Sequence, residues 1–360
     1  MIKVIVDDKI PYIREALATM DVEACYVPGG AFTPDLVSDA DALIIRTRTR
    51  CDETLLAGSR VQFIATATIG YDHIDTAYCA AHGIRWTNAP GCNAASVRQY
   101  VQSVLLLLQR ERGLCLSDAT LGVVGVGHVG SLVVEMARSW GMRVLCCDPP
   151  RAERGEQGFA SLETIAREAD VITLHTPLVR HGEHPTFHLA DEEFFASLGR
   201  KPYFINTSRG ETTDTQALMK ALDEGHIAQC CIDVWEHEPH INLELLERCH
   251  IGTPHIAGYS CNGKANATRM SLAALAAHFG MADVPAVQAP TPLQPLISAS
   301  SKAEALLQIY NPHTDSHALK AQPTLFEQLR GNYPIRHEEQ DFGLHRDIGG
   351  GLEGSETIRP

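Results

Sequence analysis

The sequence predicts an α/β protein built on parallel sheets. Three observations carry that expectation. Short apolar runs alternate with helical stretches over the first ninety residues, a glycine-rich turn joins a strand to a helix at residues 120–130, and the alternation then resumes as far as His255. Such βαβ alternation covers both faces of a parallel sheet with helices and leaves ligand sites at the carboxyl ends of the strands. At 360 residues the chain also exceeds one ordinary core, so two or more domains are expected.

Taken in order, Ile2–Val6 reads as a strand and Tyr12–Met20 as a helix. Ala42–Ile45 and Phe63–Thr66 are further apolar strands. The loops after them, Arg46-Thr47-Arg48 and Ala67-Thr68-Ile69-Gly70, are candidate binding loops by position. Residues 94–112 form a strongly apolar helix. Strands are then expected over Leu121–Val124, Arg143–Cys147, Val171–His175, Tyr203–Asn206, Gln229–Val234 and His250–Thr253. Leu162–Glu168 and Thr215–Glu224 read as helices between them. Asn262–Phe279 is another helix, followed by the proline-rich linker VPAVQAPTPLQP and a segment of mixed character over 297–345. The glycine-rich, polar end of the chain reads as a disordered tail.

Composition excludes several classes of function. The net charge of −14 argues against nucleic acid or an anionic membrane as the main partner, although local arginines can still receive an anionic substrate. No apolar stretch is long enough to span a bilayer, and MIKVIVDD is a strand pattern rather than a signal peptide. The eleven cysteines include no C-x-x-C spacing, and the adjacent pairs Cys146–Cys147 and Cys230–Cys231 suit neither disulfides nor a tetrahedral metal site. They read as small hydrophobes in buried strands. No metal is expected, and a cytoplasmic location follows from so many free thiols.

The turn Gly125-Val126-Gly127-His128-Val129-Gly130 has the form G-x-G-x-x-G, with the strand Leu121–Val124 before it and the helix Ser131–Trp140 after it. Gly125 permits the tight turn, Gly127 the approach of a pyrophosphate, and Gly130 close helix–strand packing. The helix start offers unpaired N–H groups to phosphate. A lone glycine pattern is weak, but Asp148 closes the next strand at the spacing expected for an acid on the ribose hydroxyls, which favours NAD over NADP. Arg151 leaves room for some tolerance of NADP.

Three later strand ends carry candidates for hydride chemistry on an alcohol. That chemistry needs a proton acceptor, a partner that holds it, and a cation for an anionic substrate. Asn206-Thr207-Ser208-Arg209-Gly210 supplies the cation; Asp233-Val234-Trp235-Glu236-His237-Glu238-Pro239 and Thr253-Pro254-His255 supply the acid and the histidine. Glu236 rivals Glu238 as the acid, while His237 and His240 read as surface residues.

Together GVVGVGHVG, NTSRG, DVWEHEP and TPHIAGYS resemble, in order and spacing, the motifs of the D-isomer-specific 2-hydroxyacid dehydrogenases. The resemblance implies that Arg209 binds the substrate carboxylate and carbonyl, that Glu238 holds the histidine, and that His255 is the general acid/base. It also implies that Asp233 and Thr176, with Gly258, join Gly125, Gly127, His128, Val129, Gly130 and Asp148 at the NAD site. A closer likeness, carried by NAPGCNA, CDPPRAERG and HLADEEF, is to a branch of this family acting on a phosphorylated 2-hydroxy acid. It implies Thr47, Thr68 and Tyr259 as substrate contacts, with Arg46 adding positive potential; serine is usual in that branch where Thr47 stands. The fold so implied has a Rossmann-type NAD-binding domain over 94–257 inserted in a flavodoxin-like substrate (lid) domain over 1–93 and 258–285. A small C-terminal α+β dimerisation domain follows over 286–345, then a tail over 346–360, and a homodimer is expected. The alternatives are another member of the family, of 3-phosphoglycerate or hydroxypyruvate type, or a non-catalytic NAD-sensing interaction protein on the same fold.

Overall fold

The computed structural model describes residues 1–345 and the strand pair 356–357. The chain forms two compact units, one of residues 1–93 with 260–290 and the other of 94–259 with 291 onward.

Unit 1 is built on a five-stranded parallel sheet. Its strands are β1 (Ile2–Asp7), β2 (Val22–Val27), β3 (Ala42–Ile45), β4 (Phe63–Thr66) and β5 (Arg85–Thr87). The spatial order β2-β1-β3-β4-β5 is that of flavodoxin-like sheets. Side chains alternate between two cores, as a period of two requires: Val4, Val6, Ala42 and Ile44 face one, Ile5, Leu43 and Ile45 the other. The helix Cys261–Phe279 closes the first face with Ala265, Leu272 and Leu275. Ser260 caps its start by accepting from the Gly263 N–H at 2.8 Å, and Gly280 ends it in the left-handed conformation.

Unit 2 holds a six-stranded sheet, also parallel: β6 (Thr120–Val124), β7 (Arg143–Cys147), β8 (Val171–Leu174), β9 (Tyr203–Asn206), β10 (Gln229–Ile232) and β11 (Ile251–Gly252). Its order is β11-β10-β9-β8-β6-β7, and a single parallel bridge from Cys146 to Phe159 stands where a further edge strand would lie beside β7. The order reverses between β6 and β8, the switch point at which such sheets bind dinucleotides. The adjacent cysteines now have a plain explanation. Cys146 and Cys231 lie in the core on one face of this sheet, Cys147 and Cys230 in the core on the other.

The sequence reading gave residues 286–345 a domain of their own; from Thr291 onward they share the core of unit 2. The reason lies in the helix Ala94–Arg112, which buries polar residues among its leucines. Their partners come from the C-terminal segment. Ser96 donates to Glu338 at 2.8 Å, Gln99 to the His337 carbonyl at 3.1 Å and Ser103 to the Tyr310 carbonyl at 2.9 Å, while Arg98 pairs with Glu339 at 2.7 Å. Unsatisfied, each would cost on the order of 1–3 kcal/mol. Ile297, Leu306 and Tyr310 join the same apolar core. A small sheet of β12 (Leu296–Ser298), β13 (Gly343–His345) and β14 (Glu356–Thr357) completes the segment. The tail expected over 346–360 lies outside the described residues, except for Glu356 and Thr357, which pair antiparallel with β13.

Candidate active site

The loops after β6, β7, β8, β9, β10 and β11 leave the same edge of one parallel sheet, and they carry the candidate residues of unit 2. After β6 the chain turns at Gly125, with φ 86°, and enters the helix His128–Ser139. A Cβ at Gly125 would meet the His175 carbonyl at 2.8 Å, and one at Gly130 would meet the Gly125 oxygen at 2.0 Å. At Gly127 the equivalent position is open space. Two glycines are thus required by packing, while the third leaves an unobstructed approach to the N–H groups of His128 and Val129 in the first helical turn. Thr176 lies beside Gly125, and its buried Oγ1 has no hydrogen-bond partner among the described residues. An unspent hydroxyl next to a bare glycine cradle fits a bound dinucleotide.

Asp148 returns from the end of β7 to this turn, where its Oδ2 accepts from the Val126 N–H at 2.8 Å and its Oδ1 from the Arg151 N–H at 3.2 Å. The Arg151 guanidinium is engaged by Glu156 and by the Val126 carbonyl. A 2′-phosphate would have to compete with Glu156 for it, which strengthens the case for NAD.

After β9, Asn206 shapes the arginine loop. Its amide donates to the Arg209 carbonyl at 3.2 Å and to the Thr212 and Thr213 hydroxyls, while its Oδ1 accepts from the Ser208 N–H at 3.0 Å. Gly210 then passes so close to the next loop that a Cβ would lie 2.0 Å from the Trp235 carbonyl carbon. Arg209 itself donates one hydrogen bond, from Nη1 to the Ser208 carbonyl at 2.8 Å. Half-buried His175, pushed down to about 3 by desolvation, stays neutral beneath this loop and contacts Thr173 and Thr207.

The loop after β10 decides between the two glutamates. Glu236 accepts from His188 at 2.8 Å and from the Thr215 N–H at 2.9 Å. Glu238 lies against His255, with Oε2 and Oε1 2.8 and 3.1 Å from Nδ1. Its Oε1 also accepts from the Trp235 N–H at 2.9 Å. Burial pushes the Glu238 carboxyl up, but the charge and hydrogen bond of His255, the Trp235 N–H and Arg330 outweigh it and hold the group below its ordinary value. A carboxylate can only accept, so Nδ1 carries the proton and Nε2 is left for acid–base exchange. His237 and His240 are exposed.

His255 sits in the left-handed region, with φ 56°, an uncommon place for a residue with a side chain. Asp233 holds it there. The Asp233 carbonyl accepts from the His255 N–H at 2.8 Å, and its buried carboxylate accepts from the Thr253 hydroxyl at 2.6 Å and from the Ile256 and Ala257 N–H groups at 2.8 and 2.9 Å. All of these partners lie in the loop of His255, so Asp233 anchors that loop. Tyr100, fully buried on the long helix, extends the chain by donating to the Thr253 hydroxyl at 2.8 Å. Gly258 and Tyr259 follow directly, and the Tyr259 hydroxyl accepts from Arg330 at 3.0 Å.

The remaining candidates belong to unit 1. Thr68 is held by Thr66 at 2.7 Å and donates to the Gly70 carbonyl at 2.9 Å; Thr47 is exposed. Arg46 has a partner of its own, the fully buried Asp7, which it grips through Nε and Nη2 at 3.1 Å each. Sequence reasoning missed Asn206, Gly210, Tyr100 and Arg330. The first two stand inside the NTSRG motif and could have been found there; the others carry no local signal.

Comparison with known proteins agrees with this geometry. Residues 94–257 match the family described as D-isomer specific 2-hydroxyacid dehydrogenase, NAD binding domain. An erythronate-4-phosphate dehydrogenase of Bacteroides fragilis is 60% identical over 343 residues, 95% of this chain and 99% of that one. Its counterpart in Bacteroides thetaiotaomicron is 57% identical with the same coverage. Among solved structures, the NAD+-bound 3-phosphoglycerate dehydrogenase of Entamoeba histolytica superposes with a TM-score of 0.66 at 26% identity, covering 79% of this chain and 98% of that one.

Proposed function

This chain belongs to the erythronate-4-phosphate dehydrogenases, within the D-isomer specific 2-hydroxyacid dehydrogenase family, and we propose that it oxidises 4-phospho-D-erythronate at C2. The product is 2-oxo-3-hydroxy-4-phosphobutanoate, and the step serves pyridoxal 5′-phosphate (vitamin B6) biosynthesis. The observation that carries this reading is the Glu238–His255 pair at 2.8 Å, set on the same sheet edge as the Arg209 loop and the glycine turn.

His255 Nε2 takes the proton of the C2 hydroxyl, and the charge that develops on its ring is met by the Glu238 carboxylate on Nδ1. Arg209, with most of its N–H groups unspent, orients the substrate carboxylate and polarises the oxygen at C2. Gly125, Gly127, His128, Val129, Gly130, Asp148, Thr176, Asp233 and Gly258 are the residues that would hold NAD. When bound, NAD accepts the hydride from C2. Thr47, Thr68 and Tyr259 are substrate contacts in this reading, and Arg46 orders its own loop through Asp7.

A cytoplasmic homodimer assembled through the C-terminal segment completes the proposal. Leu293, Leu296 and Ile335 are 102%, 59% and 68% exposed on that segment, as a surface covered by a second copy would be. No helix among the described residues is long and apolar enough to cross a membrane.

Steady-state NADH formation with 4-phospho-D-erythronate and 3-phospho-D-glycerate tests the reading. A higher kcat/KM on the four-carbon acid is expected. Preference for 3-phosphoglycerate would reassign the chain to another member of the family, and no turnover of either would favour a sensing role.

A further inference from the structure

We propose that Arg330, carried by the C-terminal segment, receives the phosphate of the substrate and sets the preference for a phosphorylated hydroxy acid. The inference rests on the reading above and adds a residue outside every motif that supports it.

The substrate makes two separate electrostatic demands. Its carboxylate carries one negative charge, and a phosphate monoester carries about −1.5 to −2 at neutral pH. Arg209 answers the carboxylate. The Glu238–His255 pair has no net charge when the ring is protonated and a negative one when it is neutral, so it offers nothing to a phosphate. The N–H groups at the start of the helix His128–Ser139 belong to the cofactor turn. Within unit 2, a second cation near His255 would meet that demand.

Arg330 stands there. It lies on the helix Phe326–Gly331, which Phe326 anchors in the core beside Leu319. Its Nη1 is 3.8 Å from Glu238 Oε2, the same oxygen that lies 2.8 Å from His255 Nδ1. Its Nε donates to the Tyr259 hydroxyl at 3.0 Å. The guanidinium therefore adjoins the acid–base pair on one side and a candidate substrate-binding hydroxyl on the other.

The donors of this arginine are largely unspent. Of its five N–H groups, only Nε makes a hydrogen bond to a described residue. The carboxylates of Glu238 and Glu327 lie at 3.8 and 4.0 Å, beyond hydrogen-bonding length. Its side chain is only 22% exposed, so water replaces few of the missing bonds. A desolvated guanidinium with open donors is a costly arrangement for structure alone. It is a suitable one for an oxyanion, because two adjacent N–H groups match two phosphate oxygens. Glu238 and Glu327 hold the group in place without filling those positions, and Tyr259 fixes its plane through Nε. A substrate lacking the phosphate would leave the donors unpaired and gain nothing from them.

The test compares each phosphorylated acid with its unphosphorylated parent: 4-phospho-D-erythronate with D-erythronate, and 3-phospho-D-glycerate with D-glycerate. The wild-type enzyme, Arg330→Met and Arg330→Lys are assayed for kcat/KM on all four. In Arg330→Met the preference for the phosphorylated form is expected to fall about 100-fold, through KM, while any loss that comes from the weaker hold on Glu238 is shared by both members of a pair and cancels in their ratio. Arg330→Lys, which keeps the charge but not the fork, should lie between. Inorganic phosphate, a competitive inhibitor of the wild type in this reading, should lose potency in Arg330→Met. An equal loss on both members of a pair would overturn the proposal and leave Arg330 as a positioning residue for Glu238. So would an unchanged ratio, or a wild type indifferent to the phosphate. If the wild type prefers the three-carbon pair, the substrate named above is wrong, while the ratio for that pair still judges Arg330.

Discussion

Replacing Glu238 by Gln removes one charge from the site and changes little else. The amide is the same size, and its oxygen can still accept from the Trp235 N–H, which now lies 2.9 Å away. What disappears is the carboxylate 2.8 Å from His255 Nδ1. During oxidation the ring becomes positive as it takes the hydroxyl proton, so the lost interaction is one that strengthens in the transition state. A hydrogen bond to a charged group contributes about 1.5–3 kcal/mol, and solvent screening is modest because the Glu238 side chain is only 18% exposed. The expected result is a fall in kcat of roughly 10- to 100-fold with KM nearly unchanged. Steady-state rates in both directions across a pH series provide the assay. Glu236→Gln is the control, since Glu236 accepts from His188 and Thr215 and should leave turnover within about 3-fold of wild type. Wild-type kcat in Glu238→Gln, or an equal loss in Glu236→Gln, would refute the assignment.

Further outcomes follow from the same contacts. His255→Ala should lose about 10²–10⁴-fold in kcat while NAD binding, followed by calorimetric titration, stays unchanged; loss of NAD affinity would place the residue elsewhere in the scheme. Asp148→Asn keeps an acceptor for the Val126 N–H but not the charge, so the kcat/KM ratio of NAD to NADP should fall by about 10-fold or more, and a constant ratio would show that another group reads the ribose. Gly210→Ala drives a methyl group into the Trp235 carbonyl and should cost on the order of 3 kcal/mol, visible as a drop of roughly 10 °C in Tm; an unchanged Tm would mean the two loops part easily. Burial depresses His175 to about 3, so the unfolded chain takes up a proton below about pH 6.5 while the native protein does not. Its contribution is therefore full above pH 6.5 and lost as pH falls toward 3, by up to about 2 kcal/mol between pH 6.5 and 5. Chemical denaturation of wild type and His175→Gln should show the flatter pH dependence in the variant.

What the sequence made legible follows the physics of burial. Ala42–Ile45, Phe63–Thr66 and Tyr203–Asn206 are central strands covered on both faces, and their apolar runs announce them. The two strands missed in unit 1, Val22–Val27 and Arg85–Thr87, are the edges of its sheet, where one side meets no neighbour and Glu23 and Arg85 are exposed. Gln229–Val234 was read two residues too long because Asp233 and Val234 are as buried as the strand itself. Burial reveals a core position but not the point at which a chain leaves its sheet. The acid–base pair was legible through the resemblance of DVWEHEP and TPHIAGYS to the family's motifs, in loops that follow consecutive strands. Arg330 had no such marker, since it reaches Glu238 from a segment without a motif.

The same contrast explains why strain and burial gather around His255. Its Nδ1 must be held and its Nε2 left open, so the ring cannot be enclosed by packing on all sides. The restraint has to come from the backbone, and a left-handed residue with its N–H tied to the Asp233 carbonyl supplies it. That conformation costs on the order of 1–3 kcal/mol and persists only if the loop is otherwise over-determined. Asp233 meets the condition by accepting three hydrogen bonds from Thr253, Ile256 and Ala257, and Tyr100 adds another through Thr253. Burial pushes the Asp233 carboxyl up, and its bonds to the loop and the nearby charge of His255 oppose that shift. The anchor and the base are therefore linked electrostatically as well as through the backbone. A buried acid in this place stabilises a strained histidine, and the histidine's charge in turn stabilises the acid, so neither residue would suit its position without the other.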